Sequence, residues 1–300
     1  MTSALETCYE TVRRDFGQNI EPIEVIRLLE AQRAYWRPIK TKVILLAESH
    51  VYTSDDDLKL SITEGHALPS GLPRDFVRLV YCLGYGEDCL LQDRRLRQPA
   101  KALGNRGTPQ FWKIFKSCLD QVSGNEDFSP VQVSLTKKLP TRIANKLDLL
   151  KRLKAQGIWL VDASIAALYI PGKDKPSAKS IETALHASWD GYIGSILEDA
   201  KPKAVLCIGF GVAQRMHERI DKLGIPWGAV PQPNARLSSS EHLDIYKTYH
   251  AVCNDPQNIR KTLQTLQDKS RTIVRTGQLQ ASGAGTVRSL AFLPKIPHPS

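Results

Sequence analysis

The sequence predicts an α/β fold, a three-layer α/β/α sandwich around a central four-stranded parallel sheet. Two observations carry that expectation. Four short apolar runs, Val43–Ala47, 158–161, Ala204–Ile208 and 225–230, show no polar alternation, the pattern of strands covered on both faces. Between the later runs lie segments whose apolar residues recur every three to four positions, so that strand and helix alternate along the chain. Right-handed crossovers then place helices on both faces, and ligands are expected outside the carboxyl ends of the strands.

The elements follow in order. Pro22, Ile23, Val25, Ile26, Leu28 and Leu29 open an amphipathic helix that stops before Pro38. The run Val43-Ile44-Leu45-Leu46-Ala47 is the first strand, and Glu48, Ser49, His50 and Tyr52 follow it directly. Residues 61–109 are rich in Gly and Pro and read as irregular, with a short helix over 74–80. A helix opens at Phe111-Trp112-Lys113-Ile114-Phe115, with Thr108 at the N-cap and Pro109 in the first turn. Phe111 and Phe115 are expected to face the core. Residues 123–140 read as loop with a short strand. A helix over 142–155 aligns Leu147, Leu150 and Leu153. The second strand ends at Asp162, a helix covers 180–197, and the third strand leads through Gly209-Phe210-Gly211 into a helix reaching Ile220. The fourth strand ends in Pro231-Gln232-Pro233-Asn234-Ala235-Arg236, and Ser238 or Ser239 caps a helix reaching Val252. Residues 1–268 are read as a single domain with N-terminal helices, and residues 269–300 as a basic, loosely ordered tail.

Composition excludes several classes. Of 300 residues, 42% are hydrophobic and 24% charged, a globular mixture and not a disordered one. No apolar run reaches the ~18 residues of a membrane helix, and the acidic start with Glu6, Glu10 and Asp15 is unlike a secretory leader. The expectation is a cytoplasmic protein without membrane contact. The six cysteines form no CxxC pair and no zinc-type set with histidine, and no cofactor or metal is expected. The triple Asp55-Asp56-Asp57 reads as a solvated charge cluster before a cation site. GxxxxGK[ST] and HExxH are absent, and Gly209-Phe210-Gly211 lacks the rest of a dinucleotide fingerprint, with Gln214 and Arg215 in the region of the third glycine.

The formal charge of +10 favours a polyanionic partner. Its distribution is more informative. Residues 137–154 hold Lys137, Lys138, Arg142, Lys146, Lys151, Arg152 and Lys154 against Asp148 alone. Residues 94–106 hold Arg94, Arg95, Arg97, Lys101 and Arg106 without an acid, and the tail adds Arg271, Arg275, Arg288 and Lys295.

Candidate chemistry sits at the strand ends. Glu48 can orient or activate a water, and His50 can stabilise developing negative charge; the plainer alternative is that both stabilise a turn. Asp162 closes an apolar run and must find partners, as a base-contacting group or as a cap for the next turn. Gln232 and Asn234 offer amides, and Arg236 can clamp a phosphate. Tyr52 and Trp112 are candidates for stacking on a base.

Together these residues resemble the uracil-DNA glycosylase superfamily over roughly residues 40–252. Its first motif, of the type Gly-Glu-Ala-Pro-Gly, has its equivalent in Leu46-Ala47-Glu48-Ser49-His50, with Glu48 at the acidic position. The family's strand ending in a base-reading asparagine corresponds to Trp159-Leu160-Val161-Asp162. The segment Val205-Leu206-Cys207-Ile208-Gly209-Phe210-Gly211-Val212-Ala213 is similar to its apolar strand, glycine and helix start. Its His-Pro-Ser-Pro motif corresponds to Gln232-Pro233-Asn234-Ala235, whereas the terminal His298-Pro299-Ser300 leads into no helix and is a chance match. The resemblance implies metal-free hydrolysis of the N-glycosidic bond of a damaged or deaminated base in DNA, with the target nucleotide flipped out of the stack. It assigns catalysis to Glu48, His50, Gln232 and Asn234, base contacts to Asp162, Tyr52 and Trp112, and phosphate contacts to Arg236, Arg94, Arg95, Lys137 and Lys138. DNA is the expected partner, and a monomer the expected state. Ser49 stands where some members carry a catalytic Asp, Gln232 replaces a histidine and Asp162 replaces the asparagine. An ionised Asp only accepts hydrogen bonds, so plain uracil is not the expected base. The alternatives are a catalytically inactive homologue that binds nucleic acid or protein, and a hydrolase of small nucleosides.

Overall fold

The computed structural model describes residues 3–16, 20–63, 68–100, 107–133 and 137–265. The tail assigned to 269–300, and Lys101 and Arg106 of the second basic segment, lie outside the described residues. Four parallel strands form the central sheet: β1 (Val43–Ala47), β4 (Ile158–Asp162), β5 (Ala204–Ile208) and β6 (Trp227–Val230), in the order β4-β1-β5-β6. All four apolar runs are therefore strands. Every residue of β1, β4 and β5 is buried, which explains the missing alternation. In the register, Val43 pairs with Ile158 on one side and Ala204 on the other. Two small strands, β2 (Leu60–Ile62) and β3 (Leu91–Asp93), form a separate antiparallel pair.

Helices flank the sheet. α3 (Pro109–Leu119) packs against α4 (Leu139–Gln156) and α8 (Ser239–Asn254). α1 (Ala4–Phe16) packs against α5 (Ala178–Ser188), which continues through one wide π-type turn into α6 (Gly194–Ala200), and α5 touches α7 (Phe210–Asp221). These groups cover opposite faces, as right-handed crossovers require. α2 (Ile23–Trp36) lies along the outer side of β4. It helps to cover the exposed edge of the sheet: Trp159 Nε1–H donates to the Arg33 carbonyl (3.1 Å), and the outward Leu160 N–H donates to the Tyr81 hydroxyl (2.8 Å).

Local signals explain the boundaries. α4 ends at Gly157, whose φ of 81° is left-handed, and a Cβ there would lie 2.6 Å from the Lys40 carbonyl. α8 begins with a capping box in which the Ser238 hydroxyl accepts from Glu241 N–H and Glu241 accepts from Ser238 N–H. Thr108 does occupy the N-cap of α3, but its buried hydroxyl makes no capping bond.

Two local expectations fail. Residues 74–80 are not helical. Ile62 N–H bonds the Arg74 carbonyl and Phe76 N–H bonds the Leu60 carbonyl, so residues 74–76 run beside β2 through one isolated bridge and the chain then bends away. In the 123–140 region the described residues form a 3-10 turn at Asn125–Val131 and no strand. No described helix is long and apolar enough to cross a membrane.

Candidate active site at the carboxyl ends of the strands

The chain leaves β1 for β4 on one side and later passes to β5 on the other. This reversal falls between the carboxyl ends of β1 and β5, the place where open α/β sheets bind ligands. Glu48 stands at that point. Its side chain is 13% exposed. One carboxylate oxygen accepts from the Tyr169 hydroxyl (2.9 Å), and the other lies 3.6 Å from the Arg215 guanidinium. Burial, and then the adjoining Glu48 charge, push the Tyr169 phenol up to about 12, so it donates at neutral pH. Arg215 also bonds the Gly211 carbonyl (3.1 Å), which ties it to the turn after β5.

Gly209 follows β5 directly. Its φ is 114°, and a Cβ there would lie 2.7 Å from Gln232 Cγ, so only glycine lets the Gln232 side chain lie across the end of β5. Gln232, Asn234 and Arg236 are exposed, and among the described residues their side chains make no hydrogen bond to protein. Tyr52 is half-buried on the loop after β1, and burial raises its phenol. Glu48, Gln232, Asn234, Arg236 and Tyr52 therefore lie at one end of the sheet with polar atoms available to a ligand.

The structure removes His50 and Asp162 from that surface. The His50 side chain is 0% exposed. Its Nε2 lies 2.8 Å from a Glu21 carboxylate oxygen, and its Nδ1 faces the Arg33 guanidinium at 3.4 Å. Nδ1 also lies 3.8 Å from Asp162, so both ring nitrogens face protein groups and none is left for substrate. Glu21 also accepts from Thr53 N–H (2.6 Å) and Ala167 N–H (3.0 Å), so one buried carboxylate clamps the loops after β1 and β4 together. Asp162 accepts from Arg33 at 2.5 Å and is the counter-ion of that buried guanidinium. Neither a base-reading role nor a cap for the following turn describes it. Burial opposes the Arg33 charge, but Glu30 and Asp162 outweigh burial and raise its pKa. The ground for excluding uracil goes with the base-reading role of Asp162.

Trp112 is likewise a core residue. It is buried, packs edge-on against Phe115 at 5.8 Å, and carries the Lys146 ammonium 4.8 Å above its ring. Phe115 is buried and Phe111 partly so, as expected.

The basic segments separate into two kinds of residue. Lys137, Lys138, Lys151, Arg95 and Arg236 are exposed. Lys137 and Lys138 immediately precede α4, whose N-terminal end lies toward the carboxyl side of the sheet. Arg142 and Lys146 are buried and both bind Glu87, at 2.5–2.6 Å. Arg152 pairs with Asp120, Lys154 binds the Tyr35 carbonyl, and Arg94 pairs with Asp75 at 2.6 Å. Part of the charge that reads as a phosphate-binding surface is therefore taken up within the fold: Arg142 and Lys146 neutralise a buried carboxylate, and Arg152 and Arg94 pair with partly exposed ones. Of the aspartate triplet, Asp57 is buried and held by Arg78 through both oxygens. Among the described residues no cluster of His, Cys, Asp or Glu is arranged to hold a metal ion.

Sequence reasoning missed Glu21, Arg33, Tyr169 and Arg215. Arg215 carried a faint signal as the cation one helical turn beyond Gly211; the others had none that is local. A scan against protein-family models, a search of curated proteins and a search of solved structures each returned no match.

Proposed function

We propose that this chain is a glycosylase-like hydrolase that cleaves the N-glycosidic bond of a base in DNA, with Glu48 as the group that positions and deprotonates the attacking water. The observation that carries this reading is a partly exposed carboxylate at the topological switch point, held by a protonated phenol and a guanidinium. The residue order shared with uracil-DNA glycosylases supports the same reading.

In this reaction the water oxygen bonds to the sugar carbon as the carbon–nitrogen bond breaks. The water proton passes to Glu48, and the base leaves with the bonding electron pair. The exposed amides of Gln232 and Asn234 are placed to donate hydrogen bonds to the departing base. Arg236, Lys137, Lys138 and Arg95 supply phosphate contacts. Tyr52 supplies a stacking surface at the rim. His50 and Asp162 act indirectly, by holding the loops on which Glu48 and Tyr169 sit.

The test is base release from labelled oligonucleotides carrying uracil, hypoxanthine, xanthine or mismatched thymine, in single and double strands. Release that disappears in Glu48→Gln, while DNA binding persists, is the expected result. Equal loss of binding and turnover contradicts the assigned role. One observation favours a second reading: Tyr169 and Arg215 already satisfy the Glu48 carboxylate, as they would in a homologue that keeps the fold and has lost the chemistry. Salt-sensitive DNA binding without release of any base selects it.

A further inference from the structure

A second cleft, of about 430 Å³, lies apart from Glu48 between the first turns of α3 and α8 and the Asn125–Val131 turn. Nothing in the glycosylase reading uses it. Its cation is Lys113, which lies 5.3 Å from the centre of the Phe128 ring and forms no ion pair among the described residues. Burial alone lowers the Lys113 pKa, which shows a partly desolvated ammonium without a carboxylate to offset it. Glu241 is turned back into the capping box of α8, and Glu126, which lies against the lining residue Gly124, forms no ion pair with Lys113.

The remaining lining is aromatic and amide. Phe128 packs edge-on against Tyr246 at 4.9 Å, and His242 stacks on the same Tyr246 at 6.4 Å. Gln110 and Asn125 bring amides to the cleft. Pro233, between Gln232 and Asn234, forms one wall, so the cleft adjoins the loop at the reaction rim. A cation without an ion pair among the described residues, the partly exposed His242 ring and amide groups in a space of nucleotide size match a phosphate joined to a heterocyclic base.

We propose that this cleft is a nucleotide subsite, in which Lys113 binds the phosphate and the His242–Tyr246 and amide side receives the base. A free nucleotide and a nucleotide of a strand that continues to the Gln232–Arg236 loop present the same chemistry. The proposal does not depend on Glu48.

The experiment titrates the full chain with dTMP, thymidine, inorganic phosphate and labelled oligo(dT), followed by calorimetry and NMR. Wild type is expected to bind dTMP at least about tenfold more tightly than thymidine. Lys113→Met is expected to lose at least about tenfold in dTMP affinity, as removal of one charge-assisted hydrogen bond requires. Lys113→Arg, which keeps the charge, retains most of the affinity, and an NMR spectrum of Lys113→Met with wild-type dispersion shows that its loss is not misfolding. If the ligand is a strand, oligo(dT) binds more tightly than dTMP, and Lys113→Met reduces its log–log salt slope by about 0.7. If the ligand is a free nucleotide, dTMP binds as tightly as the oligonucleotide. The proposal is overturned if dTMP does not bind at millimolar concentration, if inorganic phosphate binds equally well, or if Lys113→Met leaves dTMP affinity unchanged. Glu48→Gln leaves dTMP binding intact, so failure of the hydrolase reading and failure of this one are read separately.

Discussion

Arg33→Met removes the guanidinium at the centre of the buried network and leaves its partners behind. Arg33 and Asp162 have side-chain exposures of 2% and 4%, so Asp162 cannot turn to solvent when its 2.5 Å partner is lost. Glu30, at 13%, is only slightly better placed. Removing one member of such a buried pair costs about 3–5 kcal/mol, chiefly the cost of an uncompensated buried charge. Domain stabilities are about 5–15 kcal/mol, so roughly a fifth or more of the total is at stake. With a urea dependence of about 3 kcal/mol per molar for a domain of this size, the midpoint should fall by about 1–1.7 M without a change in slope. Arg33→Met combined with Asp162→Asn should recover more than half of that loss, because the orphaned charge is gone. A midpoint shift below about 0.3 M in the single variant refutes the reasoning, since it means that Asp162 finds solvent or a second partner.

Three further outcomes are expected. Burial opposes ionisation of Glu87, but Arg142 and Lys146 outweigh it and hold its carboxyl below the ordinary value of 4.5. Its contribution is therefore complete above about pH 4.5 and is lost as pH falls through the lower folded value; a urea midpoint that declines no more steeply on acidification in wild type than in Glu87→Gln contradicts this. Gly209→Ala forces a side chain into a left-handed backbone and against Gln232, and should cost about 1–3 kcal/mol in thermal or urea unfolding while displacing the amide. Cys89 is exposed and the other five thiols are buried, so a thiol reagent should label one cysteine rapidly in the native protein and six in denaturant; fast native labelling of a second would contradict the packing around it.

The strands of the main sheet were legible because burial on both faces writes itself as an unbroken apolar run, as at Val43–Ala47. β2 and β3 were not, because three-residue strands carry too little pattern and pair across a long Gly- and Pro-rich segment. Glu48 was legible from its place after the first run. The partner of Asp162 was not, since Arg33 lies on an earlier helix and no spacing rule links them. The same limit misled the reading of Arg142 and Lys146. A charge run is judged by its neighbours in the sequence, whereas Glu87, which neutralises both, comes from a distant irregular segment. Trp112 failed for a related reason: helical spacing set Phe111 and Phe115 on the buried face, but the helix presents Trp112 and Phe115 to the core, where Lys146 covers the indole.

The strand order has a consequence for how the protein is made. One central strand, β1, is synthesised long before either of its neighbours. Val43 emerges from the ribosome early, yet its partners Ile158 and Ala204 follow far behind. At roughly 5–20 residues per second, β1 waits on the order of ten seconds for both neighbours. During that interval Val43-Ile44-Leu45-Leu46-Ala47 is an apolar extended segment with both hydrogen-bonding edges open, the kind of stretch that nascent-chain chaperones cover and that associates with its own copies when they do not. Yield of folded protein should therefore depend on translation speed between residues 47 and 204, a region remote from β1 itself.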